Sequence, residues 1–142
     1  MLDSNGAALK LGVKAKPNLI KPNQAELAQL LERPIAEGEE EAAARALIDQ
    51  GIRYVLLSKG EMGAVWVEKD CTLYCPAPKI RTVNPVGSGD SFVAGYLYAQ
   101  LRGANEYQSL VYACAAGAAN AAEFRAARVG KQEIENLLGY SL

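Results

Sequence analysis

Thr82-Val-Asn-Pro-Val-Gly-Ser-Gly-Asp-Ser-Phe-Val-Ala-Gly95 places two glycines, one serine apart, directly before an aspartate and an apolar helical pattern. Val93, Tyr96, Leu97 and Leu101 recur at helical spacing, so the stretch reads as a turn feeding a helix with those four on its buried face. A helix start leaves its first N–H groups without intrahelical partners. Here they belong to Gly87, Ser88 and Gly89, and a glycine turn in that place suits an anion. Asp90 sets a carboxylate beside it. Donors for phosphoryl oxygens together with a base for a hydroxyl proton are the two parts that phosphoryl transfer needs. The plainer alternative is a tight turn whose Asp complements the helix dipole. Three other motifs are excluded. A dinucleotide fingerprint requires glycine where Phe92 stands. A P-loop requires a Gly-Lys-Ser/Thr that is absent. A nucleophile elbow at Ser88 requires glycines where Val86 and Asp90 stand.

Gly87-Ser88-Gly89-Asp90 resembles the Gly-Ala-Gly-Asp that opens a helix near the C-terminus of ribokinase-like sugar kinases, the PfkB family, with Ser in place of Ala. Val83-Asn84-Pro85-Val86 and the motif after it look most like the phosphosugar branch, the tagatose-6-phosphate kinases and 1-phosphofructokinases. The resemblance implies Asp90 as general base and Gly87, Ser88 and Gly89 as an anion hole made of backbone N–H groups.

Outward from that motif the chain alternates strands and helices, which is an α/β class with a mostly parallel sheet flanked by helices. Residues 1–16 read as a short helix and its approach, with Leu9, Leu11 and Val13 apolar. Asn18–Lys21 is a short strand, ended by Pro22. Asn23 then opens a helix whose stripe is Leu27, Leu30 and Leu31, and Glu26 three residues on makes a capping box. The resemblance adds a second role. Sugar kinases of this class carry Asn-x-x-Glu here, so Asn23 and Glu26 are expected to serve phosphate and magnesium, with Lys21 near the nucleotide phosphates.

Glu37–Gln50 is the next helix, with Ala43, Ala44, Leu47 and Ile48 inward and Gly51 as its cap. Glu37, Glu39, Glu40 and Glu41 read as a solvated helix start, where acids suit the dipole. Arg53–Ser58 is a nearly continuous apolar strand of the kind buried on both faces. Ser58-Lys-Gly-Glu-Met-Gly63 and a strand at Ala64–Glu68 follow. Locally the glycines make a hairpin turn. By resemblance, Ser58, Gly60 and Gly63 border the nucleotide. Cys71–Cys75 is another short strand, and Lys79–Val83 runs extended into the motif. A long helix at about 106–125 presents Tyr107, Leu110, Val111, Cys114, Ala115, Ala118 and Ala122 on one stripe. In the family this helix lies near the adenine, and Asn120 is its candidate contact. Lys131–Leu138 is a last helix after Gly130.

Composition bounds the chemistry. The chain has 142 residues, half of them hydrophobic, with net charge -1. That is one domain with a real core and no electrostatic signature of a nucleic-acid or membrane partner. With no histidine, acid–base work falls to carboxylates, Lys, Tyr or Cys. Three cysteines, 71, 75 and 114, fit packing residues in a reducing cytoplasm. No apolar run has the length of a membrane span.

The resemblance covers the C-terminal half of such a kinase: Lys-Pro-Asn-x-x-Glu, Ser-x-Gly-x-x-Gly, Gly-Ser-Gly-Asp and a small-residue helix, in family order. It implies a partial ribokinase-like fold over 1–142 that holds nucleotide and catalytic groups but lacks the N-terminal half and lid. The expected activity is ATP- and magnesium-dependent phosphorylation of a ketohexose phosphate hydroxyl. Asn84-Pro85-Val86 leans to tagatose 6-phosphate, with fructose 1-phosphate beside it and fructose 6-phosphate behind. The alternative is a non-catalytic nucleotide-binding or interaction module of the same ancestry. A sheet cut from its partner strands also exposes an edge, which predicts self-association.

Overall fold

A computed structural model describes residues 1–142. In chain order the elements are α1 (Gly6–Lys14), β1 (Leu19–Ile20), α2 (Gln24–Leu31), α3 (Glu40–Asp49), β2 (Tyr54–Ser58), β3 (Ala64–Val67), β4 (Thr72–Cys75), α4 (Ser88–Leu101), α5 (Glu106–Ala122) and α6 (Lys131–Leu138). The four strands form one sheet in the order β1-β2-β3-β4. The chain divides into two compact units, Met1–Lys59 with Val65–Tyr74, and Gly60–Ala64 with Cys75–Leu142.

In the first unit β1 and β2 run parallel, Leu19 opposite Tyr54 and Ile20 opposite Val55. Val55, Leu56 and Leu57 are fully buried, as a strand covered on both faces must be. Ile20, Leu27, Ala43, Ala44, Leu47, Val55, Leu57 and Val67 share one core. Truncating a leucine of this kind to alanine costs about 2–5 kcal/mol. Between β2 and β3, and between β3 and β4, the links are too short for a parallel crossover.

Two details of this unit differ from the sequence reading. The start of α3 is not uniformly solvated. Glu37 and Glu39 are exposed, but Glu40 is 3% exposed and ion-paired to Lys59 at 2.9 Å. Its neighbour Glu41 turns instead to Arg45, Thr72 and Tyr74. The four acids look alike in sequence, and only the fold decides which one is enclosed.

The second unit is built on α4 and α5 lying against each other, with α6 against α5. Between residues 109 and 120 the buried positions of α5 include Leu110, Tyr112, Ala113, Cys114, Ala115, Ala116, Ala118, Ala119 and Asn120. A helix enclosed on nearly all sides has no single stripe. Tyr107 and Ala122, expected on a single stripe, lie at the two ends of α5 beyond the enclosed stretch and are exposed. The stripe proposed for α4 is likewise corrected. Its buried residues are Ser91, Phe92, Gly95, Tyr96 and Ala99, whereas Leu97 is exposed and Leu101 is 87% exposed. Gly95 shows the cause. A Cβ there would sit 2.6 Å from the Ala116 Cβ, so α4 meets α5 along its small residues and not along its leucines. Cys75 and Cys114 are buried free thiols, with the Cys114 thiol 3.8 Å from the Cys75 carbonyl.

Candidate active site

In the first unit the sequence brings its polar candidates together at the carboxyl ends of β1 and β2. Asn23 and Ser58 form a parallel bridge, and the Ser58 N–H donates to the Pro22 carbonyl at 3.1 Å. Ligands of α/β sheets bind at this end of the strands. Lys21 is 6% exposed and its ammonium lies 3.3 Å from Asp3, so the expected phosphate-binding charge is already partnered. Asp3 escaped the sequence reading because nothing local ties it to Lys21. The tie comes from Leu2, whose N–H donates to the Leu19 carbonyl and whose carbonyl accepts from the Lys21 N–H.

Asn23 and Glu26 form the capping box expected of them. The Asn23 Oδ1 accepts from the Glu26 N–H, and a Glu26 carboxylate oxygen accepts from the Asn23 N–H, both at 2.9 Å. One carboxylate oxygen of Glu26 and the Asn23 amide nitrogen are left over. No cluster of three or more His, Cys, Asp or Glu is placed to hold a metal. A single free carboxylate oxygen fits magnesium only in the mode where waters and phosphate oxygens complete the shell.

Glu40 lies at the start of α3, and its partner Lys59 follows Ser58 directly. Burial alone would push the Glu40 carboxyl up. Lys59 and the Gly38 N–H, 2.8 Å from its other oxygen, outweigh that and hold it below its ordinary value.

In the second unit, Gly60 adopts φ +57° and faces open space. Gly63 adopts φ +99°, and a Cβ there would lie 2.0 Å from the Cys75 carbonyl oxygen. Close backbone approach alone therefore requires glycine at 63.

The motif turn has the geometry the sequence implies, with one change. Gly87 is the N-cap of α4 in the left-handed region, φ 81°, ψ 0°, and no side chain caps this helix. Ser88 turns its N–H back to the Pro85 carbonyl at 3.1 Å. That donor is spent, which removes it from the expected anion hole. Gly87, Gly89 and Asp90 keep N–H groups that donate to no other residue. Asp90 is exposed and borders a cleft of about 340 Å³ with Ser91, Tyr98, Val129 and Lys131 on its walls.

Asn120, by resemblance a candidate contact near the adenine, is fully buried. Its amide nitrogen donates to the Val86 carbonyl at 2.8 Å and to the Ser88 Oγ at 3.0 Å. Its oxygen accepts from the Ala127 N–H at 2.6 Å. Both of its donor hydrogens and its carbonyl are thus engaged inside the protein.

The fold is α/β, with an open glycine turn and an exposed carboxylate at the start of α4. The pfkB family carbohydrate kinase model matches residues 1–131, and the chain belongs to that family. It is 41% identical over 120 residues to the 1-phosphofructokinase of Haemophilus influenzae, a match covering 83% of this chain and 38% of that protein. Among solved structures it is similar to phosphofructokinase-2 from Escherichia coli in complex with potassium, at TM-score 0.89 and 25% identity, over 96% of this chain and 45% of the other. It shares its fold with a ribokinase from Thermotoga maritima at TM-score 0.78 and 22% identity, over 86% of this chain and 42% of the other. The chain therefore spans less than half the length of the kinases it matches. No helix is long and apolar enough to cross a membrane.

Proposed function

We propose that this chain carries the nucleotide-binding and catalytic half of an ATP-dependent kinase that phosphorylates a hydroxyl of a ketohexose phosphate. The observation that carries the reading is the start of α4, where unspent N–H groups and an exposed carboxylate share one uncapped turn in a chain of a carbohydrate-kinase family. Gly87 and Gly89 hold the transferred phosphoryl oxygens through their N–H groups, where preorganised donors act on charge as it develops. Asp90 accepts the proton of the attacking hydroxyl. Ser58 and Gly60 border the nucleotide.

Glu26 would supply one carboxylate oxygen to magnesium, Asn23 would serve the phosphates, and Lys21 would do so only by exchanging its Asp3 partner for a phosphate oxygen. Held there, magnesium would neutralise charge on the phosphate oxygens. The capping box holds the Glu26 carboxylate in place.

The 1-phosphofructokinase relatives support fructose 1-phosphate as the acceptor, ahead of the tagatose 6-phosphate to which Asn84-Pro85-Val86 leans. Fructose 6-phosphate is third. A cytoplasmic setting agrees with three free thiols. β1 and β4 end the sheet, but Leu2 already bonds the outer edge of β1, so a second chain pairing along β4 is the proposed route of self-association. A monomer in sedimentation at high concentration refutes that route.

The test is ADP release by the purified chain with ATP, magnesium and each of the three sugar phosphates in turn. Sugar-dependent ADP names the acceptor. ATP that raises the melting temperature without any sugar-dependent ADP assigns this chain the binding role alone. ATP that does neither refutes the reading.

A further inference from the structure

We infer that Asn120 is a positioning residue for the phosphate turn: it anchors the Val86–Gly87 peptide so that the Gly87 N–H points away from α5 and toward ligand. In a trans peptide the carbonyl and the following N–H point in opposite directions. No peptide bond in the chain is cis. The Asn120 amide draws the Val86 carbonyl inward at 2.8 Å, and the Gly87 N–H is thereby directed outward.

The anchor is rigid for three reasons. Asn120 is fully enclosed, so its amide has no water to exchange bonds with. Its second N–H holds the Ser88 Oγ at 3.0 Å. Its oxygen holds the Ala127 N–H at 2.6 Å, in a residue at φ 51°, where a non-glycine backbone stays only if its surroundings fix it. One helical turn earlier, Gly117 leaves room for the motif to rest on α5. A Cβ there would lie 3.3 Å from the Ser88 carbonyl oxygen.

Further bonds tie the motif to the last turn of α5 and the segment after it. Val83 and Asn84 donate their N–H groups to the Ala121 carbonyl, and the Asn84 side chain donates to the Phe124 carbonyl. Asn120 is the one side chain that bonds both the turn and Ala127. Movement of the 123–129 segment is therefore transmitted to the donors at Gly87 and Gly89. This rests on the reading of the turn as a phosphate site.

The experiment compares the wild-type chain with Asn120→Asp, in which a carboxylate faces the Val86 carbonyl but still accepts from Ala127. ATP and adenosine affinities are measured in parallel by titration calorimetry, with backbone amides followed by NMR. ATP binding is expected to weaken roughly 10- to 100-fold, the worth of a hydrogen bond to a charged group. Adenosine binding is expected to stay within about twofold. Gly87 and Gly89 amide signals are expected to shift. Loss of both ligands by the same factor, or unchanged Gly87 and Gly89 signals, overturns the inference.

Should the aspartate variant fail to fold, Asn120→Ser carries the same comparison, because its short hydroxyl cannot bridge Val86 and Ala127 together. Ser88→Ala is the control. It leaves the Val86 anchor intact and is expected to change the ATP-to-adenosine ratio little. If the wild-type chain binds neither ATP nor adenosine, the nucleotide reading fails by itself, and the Gly87 and Gly89 signals still decide the role of Asn120.

Discussion

The starts of α2 and α4 face the same electrostatic problem and solve it in opposite ways. α2 is closed by side chains. Asn23 and Glu26 satisfy each other's backbone N–H groups at 2.9 Å, so two donors at this helix start are spent within the chain. The start of α5 repeats the device with Asn105 and Gln108. α4 begins instead at a left-handed glycine with no side-chain cap, and N–H groups of its first turn stay unspent. A capped helix stabilises the fold, whereas an uncapped one reserves its donors and dipole for an anion. The contrast separates the part of each motif that builds structure from the part free to do chemistry.

The largest expected effect lies at the open start. Asp90→Asn keeps the shape of the turn and removes the base. Sugar-dependent ADP release should fall about 10³-fold with an unchanged melting temperature. A rate that survives would assign the aspartate to the helix dipole alone.

The buried ion pair at the start of α3 should matter next, for stability and not for rate. Glu40→Gln leaves Lys59 without its partner and should cost about 3 kcal/mol in denaturant unfolding. The Glu40 carboxyl is held below its ordinary 4.5 in the folded chain. Its contribution is therefore present above 4.5 and drains as pH falls through the lower folded value. The variant should show a shallower loss of stability in that acid range, measured as unfolding free energy against pH.

Gly87→Ala should cost about 1–2 kcal/mol, because φ 81° disfavours a side chain and the new Cβ would meet the Ala127 nitrogen at 3.0 Å. Asn23→Ala should cost about 1 kcal/mol, the usual worth of a cap, and should leave phosphate binding at α4 intact. If Asn23→Ala abolished ATP binding while Gly87→Ala did not, the roles of the two helix starts would be exchanged. The smallest effect belongs to the far end of α2. Lys10 and Glu32 pair at 2.8 Å on an exposed surface, and Lys10→Ala should leave the melting temperature unchanged at ordinary salt.

Local signals in the chain were legible in the sequence. The capping box at Asn23, the buried strand at Tyr54–Ser58 and the glycine turn before α4 each follow from a few adjacent residues, and the structure has all three. What sequence could not supply was enclosure. Leu97 and Leu101 have the right spacing for a buried stripe, yet α4 turns Gly95 and Ala99 toward α5, because close backbone approach is set by the partner's alanines. Glu40 is indistinguishable from Glu37, Glu39 and Glu41 until Lys59 folds against it. Asn120 reads as a polar residue on a helix near a ligand. Its actual partners, Val86, Ser88 and Ala127, lie 34, 32 and 7 positions away along the chain. Non-local bonds of this kind leave no periodicity to read.

The most direct measurement is an amide-resolved NMR titration of the chain with tripolyphosphate, a ligand that carries the phosphates without base or sugar. Saturable shifts at Gly87, Gly89 and Asp90, with the Gln24–Glu26 amides unmoved, are the expected result. Shifts confined to Gln24–Glu26, or none that saturate at the start of α4, would contradict the assignment of the open helix start as the phosphate site.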